Sequence, residues 1–435
     1  MELPMTPPDR SSTLLQAFEH QDEFFAPAFS ILQQAITQQA FPAASVAVTN
    51  RGKLVALKAL GHFTYEPPSP EKNAGAPFLA SFARSGDFNA DFNVNPAALF
   101  DLASLTKVIA TTPAAMLLYE RGLLDLEAPV SAIVPEFIHD PEKDPRRKDV
   151  TLRMLLAHAS GLPAYEKLFL KARTRDELLQ AALTTPLAAN PATRAVYSDI
   201  GFIVLGIALE RLADESLDRF CRREIFAPLA MTSTTFNPPP EIRAKIPPTA
   251  DERPLSKKEP CGSHTPVRQL PAQQPPPGES QQSPSPIIRS TFRQKIIQGQ
   301  VQDENAYILG GVAPHAGLFS TAEDVAKFAH TMLNRGQPIL RPETITLFTR
   351  REPAPPGTTR TLGWDTPSTP SQSGKYFSPN SYGHLGYTGT SLWIDPTRQL
   401  SITLLTNRTW PDCSHQAIQQ VRPNFHNAIL EALGV

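Results

Sequence analysis

Cysteine is scarce: Cys221, Cys261 and Cys413 are the only three in 435 residues. They are far apart, odd in number and form no Cys-x-x-Cys pair, which argues against a disulfide framework and a zinc site. Nor is there a His-Glu-x-x-His pair, a phosphate-binding glycine loop before a helix or a Gly-x-Ser-x-Gly elbow, so no metal or cofactor is expected. His158, His315 and His384 are separated and lack ligand partners at metal spacing. Long apolar runs are missing, since none reaches the roughly 18 residues of a membrane span. The opening stretch from Met1 to Arg10 has neither the basic n-region nor the apolar h-region of a signal peptide, so a cytoplasmic location without membrane attachment is expected. Neither sign of charge dominates, with 41 Lys plus Arg against 42 Asp plus Glu. No global field points to nucleic acid, and the expected partner is a small molecule.

Proline is abundant, at 45 residues, and it gathers in Pro238-Pro239-Pro240, Pro247-Pro248, Pro275-Pro276-Pro277 and Ser283-Pro284-Ser285-Pro286. Residues 253–289, rich in Gln and Ser, cannot bury enough apolar area to order themselves and read as a flexible insertion. Gly61 to Pro96 reads as a long surface excursion. Elsewhere the patterns are regular. Phe29 to Gln39 has helical spacing, and the runs Phe41 to Thr49 and Lys53 to Leu60 flank the turn Asn50-Arg51-Gly52 as a hairpin. Thr151 caps a short helix from Leu152 to His158, and further helical patterns cover Arg175 to Leu183, Gly201 to Glu224 and Ala322 to Leu333, the last capped by Ser320 or Thr321. A second hairpin turns at Asp395-Pro396-Thr397-Arg398, and Ser414 to Leu433 closes the chain as a helix. Strands at both ends with helices between them imply the α/β (α+β) class: an antiparallel sheet formed from both chain ends, flanked by helices, with an inserted all-α subdomain. The expected organisation is an N-terminal tail, 1–27, and a single domain, 28–435, whose sheet part is 28–103 and 381–435 and whose helical part is 104–380.

The stretch that could carry chemistry runs from Phe100 to Lys107. Ser104 and Lys107 are three residues apart at the head of an apolar run, Val108 to Tyr119, that ends at Glu120-Arg121-Gly122. That spacing stacks both side chains on one face of a helix. Ser104 would then sit in the first turn, where free N–H groups and the positive end of the helix dipole favour a developing negative charge. A serine hydroxyl needs a base within hydrogen-bond reach. Lys107 could serve only if neutral, at a cost on the order of 4 kcal/mol against its ordinary pKa. Spacing alone is weak, because Ser69-Pro70-Glu71-Lys72 repeats it with no helix to align it. The competing reading is an N-capping serine followed by a solvated lysine.

Three islands together, Ser104-x-x-Lys107, Tyr197-Ser198-Asp199 and His384-Leu385-Gly386, resemble the active-site motifs of the serine β-lactamase and penicillin-binding-protein superfamily. The likeness is greatest to its class C-like branch, which also holds D-stereospecific peptidases and carboxylesterases. Phe41-Pro42-Ala43-Ala44-Ser45-Val46-Ala47-Val48, the run Leu155 to Pro163, the run Gly317 to Asp324 and Thr406-Asn407-Arg408 are similar to that branch too. The resemblance covers about residues 28 to 432 apart from the Pro-rich insertion, and it implies a β-lactamase/transpeptidase-like catalytic domain. It further implies that Ser104 attacks an acyl carbonyl, that Lys107 and Tyr197 manage its proton, and that water clears an acyl-enzyme. The backbone N–H groups of Ser104 and Tyr387 would hold the oxyanion, and Gly386 would let an extended substrate approach the strand edge.

Two departures from the family pattern bear on the chemistry. The second motif usually ends in Asn. Asp199, a carboxylate beside Lys107, would favour the ammonium, so a charged Lys107 is expected to lower the pKa of Tyr197 and leave a partly ionised Tyr197 as the base. The third motif commonly begins with Lys, whereas His384 is mostly neutral at pH 7 if unperturbed and would grip a substrate carboxylate weakly. The expected function is therefore a serine hydrolase acting on an ester, amide or lactam carbonyl, with esterase-like activity favoured over β-lactamase. A D-alanyl-D-alanine carboxypeptidase or β-lactamase is the alternative. A non-catalytic module that binds or senses acyl compounds is an alternative of another class.

Overall fold

The first hairpin sets the frame of the sheet. Strands Ala43–Asn50 and Lys53–Gly61 pair antiparallel. The turn between them puts Arg51 at φ 49° and Gly52 at φ 81°, the positive values that a tight two-residue hairpin demands. In the computed structural model, which describes residues 14–65, 93–254 and 290–435, this hairpin is part of a six-stranded sheet. From one edge to the other its order is Leu15–Gln16, Lys53–Gly61, Ala43–Asn50, Leu400–Thr406, Ser391–Asp395 and Tyr382–Leu385. Both chain ends thus build one sheet with helices against it, as the sequence pattern implies. Most of the Pro-rich insertion, most of the surface excursion with Ser69 and Lys72, and Cys261 lie outside the described residues.

Strand alternation sorts the core into two layers. Val46, Val48, Leu400, Ile402 and Leu404 face the terminal helices Ala26–Thr37 and Ile418–Ala432, where they pack with Phe29, Leu32, Phe425 and Ile429. Their neighbours Ala43, Ala47, Leu392, Ile394 and Leu405 face the other way, into a larger core with Leu105, Val108, Val325 and Phe328. A period of two places one residue set on each side of the sheet.

Four details differ from the sequence reading. Leu15–Gln16 pairs parallel with Lys53–Gly61, and the helix Ala26–Thr37 starts inside the expected tail 1–27, so that tail is partly structural and the sheet is not purely antiparallel. The inserted part is not all-α: Phe100–Asp101, Leu318–Ser320 and Thr235–Phe236 form a small sheet, and Ala250–Asp251 pairs with Ile296–Ile297. Strands of two or three residues are too short to show alternation. The pattern from Gly201 to Glu224 is broken at Asp214, whose φ of 49° ends the helix Asp199–Ala213 before Leu217–Cys221 begins. Finally, the helix after Ser104 opens with a π-helical turn, Lys107–Thr111, before the α-helix Thr112–Glu120. Among the described residues no helix is long and apolar enough to cross a membrane.

The helix Asp199–Ala213 is apolar on all sides because it is enclosed, with every residue from Ile200 to Leu209 buried. Gly206 lies where it meets Pro314, and a Cβ there would stand 2.4 Å from Pro314 Cγ. Pro314 is anchored in turn, its carbonyl accepting from Thr111 Oγ1 at 2.6 Å. Gly206→Ala is therefore expected to overpack this contact and destabilise the fold by about 1–3 kcal/mol, read as a lower denaturation midpoint. An unchanged midpoint would contradict the packing described.

Candidate active site

The Ser104 turn is built by local hydrogen bonds. Asp101 Oδ1 accepts the Ala103 N–H at 2.8 Å and Oδ2 accepts that of Gln302 at 2.7 Å. Burial raises the Asp101 carboxyl to about 6. Ala103 takes φ 47°, and Thr106 Oγ1 donates to its carbonyl at 2.7 Å, closing a tight bend. The bend leaves Ser104 just ahead of the helix that carries Lys107 one turn on.

Around Lys107 the structure brings distant segments together. Its Nζ lies 3.2 Å from Ser104 Oγ, 2.7 Å from Asp199 Oδ1 and 2.9 Å from the His315 carbonyl oxygen. The hydroxyl of Tyr197 donates to Ser104 Oγ at 2.7 Å and stands 3.1 Å from Asp199 Oδ1. Ser198 caps the helix Asp199–Ala213, accepting from the Gly201 N–H at 2.9 Å and donating to the Pro163 carbonyl at 2.6 Å. This puts Asp199 in the first helical turn, where the dipole favours a carboxylate. His158 completes the seat: its Nδ1 accepts the Ser198 N–H at 3.0 Å, and its ring packs 4.8 Å from that of Tyr197.

The third segment ends the edge strand Tyr382–Leu385 and turns at 386–390. Thr388 Oγ1 donates to the Asp101 carbonyl at 2.7 Å and Thr390 Oγ1 to that of Leu102 at 2.9 Å, strapping this turn to the Ser104 turn. At Gly386 a Cβ would lie 2.6 Å from the Leu102 oxygen, so the approach admits only glycine. Among the described residues neither the Ser104 N–H nor the Tyr387 N–H has an intramolecular acceptor. Two free donors on two strapped turns are what an oxyanion pocket requires.

Burial dominates the charges. Lys107 is 0% exposed, and desolvation pushes its pKa below the ordinary lysine value while Asp199 opposes the change. With two N–H groups to Asp199 and the His315 carbonyl, a neutral amine would still have its lone pair for Ser104. Burial, and then Asp199, hold the Tyr197 hydroxyl well above its ordinary range. This corrects the expectation of a partly ionised Tyr197: a buried phenolate would face the Asp199 carboxylate, so the phenol keeps its proton. His384, 4% exposed, is pushed down to about 3, chiefly by burial and then by the Lys107 and Arg360 charges, so it is neutral. Its Nδ1 donates to the Leu385 carbonyl at 2.7 Å, and its Nε2 has no partner among the described residues.

Ser104, Tyr197, Asp199, His384, Gly386 and Tyr387 all open onto one cavity of about 980 Å³. Several of its features escape sequence reading. His315 lends a carbonyl to Lys107, and its ring bonds Asp303 at 3.0 Å, whereas in the sequence it is marked only by its lack of partners at metal spacing. Arg360 stands with its guanidinium 5.7 Å from the Tyr197 ring centroid, paired to Asp365 at 3.4 Å. No spacing signal ties Arg360 to the three motifs, because it comes from a loop. Among the described residues no group of three or more His, Cys, Asp or Glu is arranged to hold a metal ion.

The beta-lactamase family model matches residues 28–421. The chain is 31% identical over 387 residues to N-acetylmuramyl-L-alanine amidase of Bacillus subtilis (strain 168), covering 85% of this chain and 77% of that protein. It is 32% identical over 360 residues to a Salmonella agona (strain SL483) protein provisionally named D-alanyl-D-alanine carboxypeptidase, covering 77% of this chain and 74% of the other. Among solved structures, EstCE1, a hydrolase with promiscuous acyltransferase activity, superimposes with a TM-score of 0.67 at 20% identity, over 94% of this chain and 99% of its own; at that identity the likeness is one of fold.

Because Asp199 opposes the lowering of the Lys107 pKa by burial, Asp199→Asn should let the lysine lose its proton at lower pH. If neutral Lys107 activates Ser104, the acid limb of the acylation rate against pH, measured by stopped flow with an uncharged ester, shifts to lower pH in the variant. An unmoved limb, or one shifted upward, would contradict that role.

Proposed function

This chain belongs to the beta-lactamase family, a family of hydrolases, and on that footing we propose that it is a serine hydrolase working through an acyl-enzyme on Ser104. The observation that carries the reading is Ser104 Oγ held between Tyr197 and Lys107 beside two unpaired backbone donors. In this mechanism Ser104 attacks the acyl carbonyl as its proton passes to Lys107, and the new ammonium is met by Asp199 and the His315 carbonyl. The N–H groups of Ser104 and Tyr387 receive the oxyanion. Tyr197, kept neutral, donates the proton that the leaving group takes away and recovers one from Lys107. Water then repeats the attack on the acyl-enzyme, returning Ser104 its proton.

For substrates, neutral His384 supports uncharged esters over β-lactams, whose carboxylate finds no cation at the head of the third motif. A fluorophosphonate probe should label the wild type and spare Ser104→Ala, and a p-nitrophenyl butyrate assay should give steady turnover. Labelling without turnover would instead mark an acyl-binding module. Hydrolysis of a carboxylate-bearing chromogenic cephalosporin as fast as that of the ester would overturn the ester preference.

Arg360 favours a second reading, amide hydrolysis in a peptide that carries a carboxylate, such as one ending in D-Ala; the names of the amidase and carboxypeptidase relatives agree with it. On this reading Arg360→Gln raises KM for N-acetyl-L-Lys-D-Ala-D-Ala by about tenfold or more and leaves the p-nitrophenyl ester nearly unchanged. Equal effects on both substrates would exclude a carboxylate contact.

A further inference from the structure

Arg422 lies on the C-terminal helix Ile418–Ala432, far in sequence from the three motifs, and is 5% exposed. Among the described residues it has no carboxylate partner, and its Nε has no hydrogen-bond acceptor. A buried cation without a counter-ion is costly unless its donors are well used. Its Nη2 donates to the Gly386 carbonyl at 2.8 Å and to the Thr390 carbonyl at 3.0 Å. The Gly386 carbonyl also accepts from the Gly389 N–H at 3.0 Å, and the Gly386 N–H bonds the same Thr390 oxygen at 2.8 Å. Next along the chain, Arg408 Nε donates to the Tyr387 carbonyl at 2.7 Å.

The Gly386 carbonyl and the Tyr387 N–H belong to one peptide unit. In a trans peptide the two point in opposite directions. Drawing the carbonyl back toward Arg422 and the Gly389 N–H therefore turns the Tyr387 N–H the other way. That N–H is one of the two donors left without an intramolecular acceptor, on a turn that Thr388 and Thr390 tie to the Ser104 segment. We propose that Arg422 is a positioning residue for the oxyanion pocket, a guanidinium on the last helix that fixes the Gly386–Tyr387 peptide so that its N–H faces the reacting carbonyl. The same fixed charge adds a positive field behind the dipole that meets the oxyanion. This role rests on the serine-hydrolase reading, and it predicts that binding and turnover separate when Arg422 is changed.

The test compares wild type, Arg422→Gln and Arg422→Lys by thermal melting, by kcat and KM for p-nitrophenyl butyrate, and by inhibition with phenylboronic acid, whose serine adduct is tetrahedral. Folded R422Q should lose about 30-fold or more in kcat and a similar factor in boronate affinity, because one oxyanion donor is misaimed. KM should move by less than about threefold. R422K, which keeps the charge but not the two-carbonyl grip, should fall between. A folded R422Q with kcat close to wild type would overturn the proposal, as would a loss confined to KM. If R422Q fails to fold, R422K carries the test, and wild-type kcat in folded R422K overturns the positioning role. Selective 15N-tyrosine labelling adds a readout free of turnover: the Tyr387 amide peak should shift or broaden in the variant while other tyrosine amides hold still. Should wild type neither react with the fluorophosphonate nor cleave the ester, the hydrolase reading fails by itself. The amide peak then still reports on Arg422, and an unmoved Tyr387 peak overturns its role.

Discussion

A lysine with no exposed surface needs a partner in every direction, and Lys107 sets that condition for the centre of the molecule. Its partners come from three separate stretches: Ser104 on its own turn, Asp199 at the head of the helix Asp199–Ala213, and the carbonyl of His315. Each stretch has to be delivered to one point. Ser198 as cap and His158 as a neutral stacked acceptor fix Asp199. Thr111, through the Pro314 carbonyl, fixes His315 from below. These contacts supply protein partners to an amine that folding removes from the surface.

That arrangement explains why the site's titration differs from simple expectation. Desolvation lowers Lys107 and raises Tyr197, so both groups tend toward their neutral forms. Asp199 works against the first change and with the second. A neutral amine and a neutral phenol together can pass a proton without creating an isolated buried charge. The sheet contributes differently: the turn after its edge strand supplies one backbone donor, the Tyr387 N–H, and this turn is strapped to the serine turn by Thr388 and Thr390 and drawn back by Arg408 and Arg422. Side chains from the helical part would move protons, and main chain from the serine turn and from the turn after the edge strand would receive charge.

Much of this was legible from residues alone. The hairpin at Arg51-Gly52 announced itself through its turn, and the helix Asp199–Ala213 through its apolar run. The three motifs proved to be neighbours, although the second and third lie 93 and 280 positions beyond Ser104. What stayed hidden has physical reasons. Strands such as Phe100–Asp101 are too short to show a period, and a carbonyl such as that of His315 carries no residue signature. Arg360 and Arg422 reach the site from a loop and a distant helix, where only folding gives them neighbours. The direction of the Tyr197 shift was misread because the sequence shows the carboxylate of Asp199 next to Lys107 but not the burial of the phenol.

Burial makes Lys107 a weaker base than a surface lysine despite the carboxylate beside it. Nuclear magnetic resonance titration of 15N-lysine-labelled protein, with the Lys107 Nζ signal assigned by its loss in Lys107→Met, measures this directly. Lys107 should give up its proton at lower pH than the exposed lysines of the same molecule. A Lys107 signal that titrates with them, or above them, would contradict it.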